Sequence, residues 1–317
     1  MSFLAGVDEA GYGPLLGPLV VGYSVFRVPA PDVNLWRVLA DCARRKPDRA
    51  RRALQVDDSK KVFTGPGGRA RLERSVAAFE ALAPRPSSLQ AWLQRPPAPA
   101  SAWFERAPWY GACDGLLCPG ASADRARLDA ARLRRGLERG GCMLAGFGAR
   151  CVPEGELNHL VRAQGSKGTA LFTVTVEVLR HLIAATGDAP LRVELDRHGG
   201  RTRYGALLAQ ALQPQRVEVH AETPAASLYT LHFETRAVQM RFTPEADGAH
   251  FGVALASLAA KMTRERLMDL WNEWFAERLP ELRPTRGYAT DGRRWLQQAA
   301  GRLARLGVDP QALVRAR

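Results

Sequence analysis

Residues 4 to 28, LAGVDEAGYGPLLGPLVVGYSVFRV, put two long apolar runs on either side of a glycine-rich connection, and the first run closes on two adjacent acids, Asp8 and Glu9. Runs this rich in Val, Leu and Phe read as strands, with GYGPLLG as a turn or short irregular link between them. A chain that opens in this way must assemble the rest of itself around a sheet. The acids then stand at the carboxyl edge of the first strand, where open α/β sheets gather their ligands. Two neighbouring carboxylates repel, so keeping both ionised requires strong donors or a cation, and a hard divalent ion such as Mg²⁺ is the usual remedy. DE pairs are also common on solvated surfaces; the position at the end of an apolar strand favours the metal reading. Side chains alternate along a regular strand, so two carboxylates that face one ion require twist or irregularity at that point.

The remainder of the chain supplies helices and further strands. Residues 34 to 45 carry Leu35, Val38, Leu39 and Cys42 at helical spacing, and 69 to 82 repeat that signal after the punctuator TGPGG. From about 83 to 141 the texture changes to Pro, Ala and Trp followed by the basic run ADRARLDAARLRRGLERGG, which reads as an insertion. Its Trp92, Trp103, Trp109 and Tyr110 either staple a small subdomain or, with the arginines around them, offer a stacking and phosphate-contacting surface. CMLAGFGARCV is strand-like, a helix follows Pro153, and Leu171, Val174, Val178 and Leu182 form a helical stripe. LRVELDR and RVEVHAE read as strands around a helix at 204 to 212, the order of α/β packing. The segment ALASLAAKMTRERLMDLWNEWFAERL is a long helix or helix pair, and GRRWLQQAAGRLARL is another helix.

A net charge of +13 over 317 residues builds a positive field that attracts polyanions, nucleic acid first among them, although the dominance of Arg over Lys also fits an ordinary Arg-rich surface. The five cysteines are an odd number and form no CxxC pair, which points to a reducing cytosol and a cytoplasmic protein. Buried thiols are the expectation for them, with zinc at Cys113, Cys118, Cys142 and Cys151 the lesser alternative. No basic region precedes an apolar run at the N-terminus and no stretch approaches 18 uninterrupted apolar residues, so neither export nor a membrane span is expected.

Two further acids fit the first pair. Asp196 ends the apolar run LRVEL ahead of HGG, which again puts a carboxylate at a strand's carboxyl edge or at a helix cap. Asp247 precedes the helix that holds Ser257, Lys261 and Arg264; such an Asp is ordinarily a cap, and Glu245 competes with it for an acidic role. His198, beside Asp196, has the ordinary chemistry of a proton-transfer group or of a surface-loop histidine.

GVDEAGYGPLLGPLVV resembles the opening of ribonuclease HII, DDSKK its DSK motif, ASLAAKMTRERLM its AASILAKVTRD segment and RGYAT its GYPT motif. The four stand in the family's order across roughly residues 5 to 295, with the insertion outside the resemblance. This resemblance to the type 2 ribonucleases H implies an α/β, ribonuclease H-like fold, a mixed central sheet flanked by helices. It implies a catalytic core at 1–82 and 142–264, with the basic Pro/Trp-rich insertion at 83–141 and a C-terminal helical region at 265–317. It makes Asp8, Glu9 and Asp196 acidic metal ligands. The fourth carboxylate is expected fourteen residues before the lysine of the AAK segment, and that count from Lys261 reaches Asp247. It further implies that Gly11, Tyr12 and Gly13 meet the ribose at the scissile linkage, that Lys60, Ser257 and Lys261 lie near the substrate backbone, and that Tyr288 packs against a sugar.

The activity so implied is metal-dependent endonucleolytic cleavage of the RNA strand of RNA/DNA hybrids, or at ribonucleotides embedded in duplex DNA, with Mg²⁺ or Mn²⁺ as cofactor. Two ions about 4 Å apart suit in-line phosphodiester hydrolysis, and four carboxylates suffice to hold them. The 2′-hydroxyl distinguishes RNA from DNA, and a glycine-rich turn brings backbone close to it. Lys60, Lys61 and Arg264 are expected to hold phosphates, and a monomer is expected. The chain departs from the motif at Tyr12, where the family carries an arginine able to grip a phosphate through two donors. Smaller departures are Glu265 for Asp, Ala289 for Pro and Arg293 for His. The opening also resembles that of the sister family, ribonuclease HIII, whose turn lacks the arginine. The alternative is a noncatalytic or altered-specificity nucleic-acid-binding paralogue of the same fold, which would bind in a salt-sensitive way without metal-dependent cleavage.

Overall fold

The two apolar runs of the opening pair with each other. A computed structural model describes residues 1–48, 50, 52–83, 88–98 and 101–316. Its strands, in chain order, are β1 (Ser2–Ala10), β2 (Leu19–Val28), β3 (Ala43–Arg44), β4 (Leu54–Gln55), β5 (Met143–Val152), β6 (Leu191–Asp196), β7 (Arg216–Glu222), β8 (Ser227–His232) and β9 (Ala237–Thr243). Seven of them make one sheet in the order β5-β2-β1-β6-β9-β8-β7, and β3 pairs with β4 alone. β1 lies antiparallel to β2 and parallel to β6, which is in turn parallel to β9. β8 and β7 extend the edge as an antiparallel meander, so the sheet is mixed and helices flank it, as the motifs imply.

Each face of the sheet has its own cover. Ala5 and Val7, with Val193, Leu195, Met240 and Phe242, pack on one face against the helix Lys167–Ala185. That helix is long and apolar enough, by length and composition alone, to cross a membrane, but its Leu171, Val174, Val178 and Leu182 are buried on the sheet. On the other face the 28-residue helix Phe251–Arg278 lies against β1, β2 and β5. Glycines make that approach possible: a Cβ at Gly6 would fall 2.0 Å from the Gly252 carbonyl carbon, and one at Gly22 would fall 2.1 Å from the Ala256 oxygen. The Ser24 hydroxyl donates to the Gly252 carbonyl at 2.8 Å and holds the helix at this depth. The helix is single and unbroken over the segment read from the sequence as one long helix or a pair.

The expected helix over 34–45 is cut to Leu35–Val38, capped by Asn34, because the chain leaves it to pair Ala43 with Leu54. Cys42 and Leu39 are still buried, beneath the basic helix Ala123–Arg139. The insertion shares the main core instead of forming its own. Trp92, Trp109 and Tyr110 are buried there, and the Trp92 indole donates to the Thr263 hydroxyl at 2.8 Å. These three rings are staples and offer no stacking surface; Trp103, half-buried, packs beside His159 and Arg106. All five cysteines are free and buried.

Candidate metal centre

Parallel register brings the acids together. The ladder between β1 and β6 ends where Val7 pairs with Leu195, so Asp8 and Asp196 leave it side by side. Glu9 follows Asp8 on the strand and starts toward the opposite face. Ligand oxygens of Asp8, Glu9 and Asp196 nevertheless lie within 4.8 Å of one another, and they are the one such metal-competent group among the described residues. Pairing of β1 with β2 stays regular through Ala10, so no bulge is needed here. The carboxylates meet in the space past the end of the β1–β6 ladder.

Their electrostatics are those of a site that wants positive charge. Burial drives the Asp8 carboxyl well above the usual range, the charges of Glu9 and Asp196 add to this, and a hydrogen bond from Ser257 opposes it. Glu9 is raised to about 7, by burial and then by Asp196, with Lys60 pulling the other way. Asp196 is also raised by burial, although it accepts from the Ala246 amide at 2.9 Å. Asp247 sits half-buried in the short turn Ala246–Ala249 and is raised to about 6 by burial, Asp58 and Asp196. It stands beside the three converging acids, whereas Glu245 is exposed.

Asp58 is an acid the sequence reading passed over, although it lies inside DDSKK. Its side chain accepts from the Lys60 amide at 2.8 Å and caps the helix Ser59–Phe63. That helix is tied to the site where the Ser59 and Ser257 hydroxyls lie 3.0 Å apart. Lys60 thereby acts on both Glu9 and Asp196.

A second surface adjoins the acids. Gly11 adopts φ 87°, where a Cβ would meet Arg264 Nε at 2.6 Å. The Gly287 carbonyl accepts from the Leu15 and Leu16 amides at 2.7 and 3.2 Å, which docks the RGYAT segment on the glycine-rich connection. Tyr288 is left 47% exposed beside it, with the Arg264 guanidinium 5.4 Å from its ring centre. Gly13 is exposed and Tyr12 half-buried.

Three residues singled out in the sequence are enclosed. Arg264 is wholly buried and donates to the Leu16 and Arg286 carbonyls, in the stretch 251–265 that is buried but for Gly252. Lys261 is also buried, paired with Glu265 at 2.6 Å beneath the Phe63 ring. His198 is packed among Phe172, Tyr204 and Phe242, and burial lowers it to about 3, so its ring is neutral and closed off from the acids' open side.

The turn itself is held from beneath by a residue that no motif indicated. Arg315, 2% exposed, donates to the Gly11 and Tyr12 carbonyls, and its own amide donates to Leu15 at 2.9 Å. Asn158 fixes this last segment through the Gln311 and Val314 carbonyls, each at 2.7 Å. Burial and the nearby charge of Arg264 bring Arg315 down to about 10, still a cation at neutral pH.

No family model matches the chain, and none of the curated proteins does. The solved structures it is similar to include ribonucleases H. RNase HII of Archaeoglobus fulgidus, solved in a complex with PCNA, is 16% identical over 99% of this chain and 94% of that one, with a TM-score of 0.44. Ribonuclease H2 of Pyrococcus horikoshii is 17% identical over 98% and 92%, also at 0.44. Bst-RNase HIII, in complex with Mn²⁺, is 13% identical over 99% of this chain and 66% of that one, at 0.40.

Proposed function

We propose that the chain is a Mg²⁺- or Mn²⁺-dependent endonuclease of the type 2 ribonuclease H kind, acting on the RNA strand of RNA/DNA hybrids or at ribonucleotides embedded in duplex DNA. The observation that carries this reading is the convergence of Asp8, Glu9 and Asp196, with Asp247 beside them, next to a glycine-rich turn. Every donor is a carboxylate oxygen, the hard set that suits Mg²⁺ or Mn²⁺ over softer metals. Bound there, a pair of such cations lowers the cost of charge on an attacking water and on the leaving oxygen.

The chain's own groups supply the rest. Asp8, Glu9, Asp196 and Asp247 are the ligands, and Ser257 orients Asp8 by its hydrogen bond. Lys60 presents a cation over Glu9 and Asp196, where a phosphate approaching the acids needs one. In this reading the backbone of Gly11, Tyr12 and Gly13 meets a ribose 2′-hydroxyl through groups that Arg315 does not take, and the exposed Tyr288 ring offers a sugar a flat apolar wall. Tyr12, in place of an arginine, favours the second reading, altered specificity or binding without cleavage.

The test is cleavage of three labelled substrates: an RNA/DNA hybrid, a DNA duplex with one ribonucleotide, and plain DNA. Each is run with Mg²⁺, Mn²⁺ or EDTA, with Asp8→Asn in parallel. Metal-dependent cutting confined to ribonucleotide-containing strands and lost in Asp8→Asn is the expected result. Duplex binding without cutting under every metal would replace this reading with the second.

A further inference from the structure

Beside the glycine-rich turn, on the side away from the helix Phe251–Arg278, lies a group of basic residues that the motifs do not include. Lys167 opens the helix Lys167–Ala185, and its ammonium stands 5.1 Å from the centre of the Tyr12 ring. At the next residue, Gly168, an added Cβ would lie 3.7 Å from Arg201 Nη2 and 3.8 Å from the Tyr12 hydroxyl. Arg201, on the loop that follows Asp196, is held over the Phe172 and Tyr204 rings, each 5.9 Å from its guanidinium carbon. Arg201 and the Tyr12 hydroxyl therefore meet over Gly168, and the Lys167 ammonium stands by the same tyrosine ring. All three residues are partly exposed, so the point where they meet is open to solvent.

The charge balance of this group is uneven. Among the described residues no carboxylate pairs with Lys167 or Arg201, and the charge acting on Lys167 is that of Arg315, another cation. Burial and Arg315 bring the Lys167 ammonium down to about 8. Two cations that flank one tyrosine side chain without a carboxylate partner, near the acidic centre, are complementary to an anion supplied from outside. The position also matters: Tyr12 stands where the resemblance has a phosphate-gripping arginine, and Lys167 and Arg201 bring cationic donors to that same side chain.

We propose that Lys167, Arg201 and the Tyr12 hydroxyl form a phosphate subsite that takes a phosphodiester of the substrate strand neighbouring the one the carboxylates handle. The proposal rests on the nuclease reading above for the identity of the strand. A lysine and an arginine there replace one bidentate arginine by two separate point contacts, which hold a backbone without reading its sequence. The absence of a side chain at Gly168 leaves room for a non-bridging oxygen between them.

Binding is measured in EDTA, where no cleavage occurs, by fluorescence anisotropy of a labelled RNA/DNA hybrid over a range of KCl. Wild type is compared with Lys167→Ala, Arg201→Ala and Lys167→Arg, and steady-state cleavage with Mn²⁺ follows on the same proteins. Each alanine variant is expected to bind about 10-fold more weakly, to lower the slope of log affinity against log salt by about one, and to raise KM with kcat kept. Lys167→Arg, which keeps the charge, is expected to restore most of the affinity; a merely structural role would give no such rescue and no change of salt slope. Wild-type affinity and slope in both alanine variants would overturn the subsite and leave the nuclease reading standing if the wild type cuts. A wild type that binds and never cuts, with binding weakened in both variants, would overturn the nuclease reading and keep the subsite. A wild type that binds no duplex would overturn both.

Discussion

Metal binding at the acidic centre has to compete with protons, and the structure sets the size of that competition. Glu9 is raised to about 7 and Asp247 to about 6. Both must be ionised to act as ligands. At pH 8 nearly all of each is ionised; at pH 6 Glu9 is ionised about one part in eleven and Asp247 about half. The product is a weakening of roughly 20-fold in Mn²⁺ affinity between pH 8 and pH 6, or about 1.8 kcal/mol. Asp8, raised further by burial, can only add to this. Titration calorimetry of EDTA-stripped protein with Mn²⁺, in two buffers of different ionisation enthalpy, reads both the affinity and the protons released, about 1.4 per site at pH 6 from these two groups. The sign also fixes the metal-free stability. A carboxyl raised in the folded state contributes stability that is present below its unfolded pKa and lost as pH rises through the folded one. In EDTA the protein is therefore expected to lose stability from pH 4.5 to 7, the window set by Glu9. An affinity that changes less than about 3-fold between pH 6 and 8, with no proton release, would refute the claim that burial and mutual repulsion load these acids.

Two further perturbations test how the site is held. Gly22→Ala or Gly6→Ala drives a methyl group into the backbone of the helix Phe251–Arg278, with approaches of 2.1 and 2.0 Å, and is expected to cost about 3 kcal/mol or more by urea unfolding. A loss under about 1 kcal/mol would mean that the helix does not rest on these strands. Arg315→Ala strips two donors from the Gly11 and Tyr12 carbonyls and is expected to cost about 2 kcal/mol. It is also expected to raise KM for a hybrid while leaving Mn²⁺ affinity unchanged, since Arg315 touches the turn and none of the acids. An unaltered KM would show that the turn keeps its shape without it.

What the sequence displays and what it hides divide along physical lines. The opening strands, the helix with the stripe Leu171, Val174, Val178 and Leu182, and the strand ending at Asp196 were legible because burial on one or both faces imposes a period or an apolar run. The grouping of Asp8, Glu9 and Asp196 was legible for a related reason: each stands at or near the carboxyl end of a strand, and parallel strands bring such ends together. Alternation along β1 alone calls for twist or irregularity at Asp8 and Glu9; the pairing with β2 stays regular there, and the end of the ladder with β6 opens the space in which the acids meet.

Arg264 and Lys261 lie buried in the basic motif, and their enclosure bears on how such a motif should be read. The resemblance carried by ASLAAKMTRERLM implies that Lys261 lies near the substrate backbone, Arg264 is expected to hold a phosphate, and in most helices an arginine does face water. Here the helix is enclosed by the sheet on one side and by the insertion's Trp92 and the glycine-rich connection on others. Lys261 pairs with Glu265, and Arg264 donates to two carbonyls through Nη2 while its Nε and Nη1 find no hydrogen-bond partner among the described residues. Lys167 and Arg201, two of the cations without an ion pair among the described residues, lie in segments that carry no recognised motif, at the start of a helix and in a loop. Only the closing of residues 12, 167, 168 and 201 on one another brings them together, and no periodicity encodes that. A charge is thus a better pointer to a ligand when the fold leaves it exposed and unpaired than when a motif contains it. By that criterion, the phosphate contacts of this chain are to be sought at Lys60, Lys167 and Arg201 before Lys261 or Arg264.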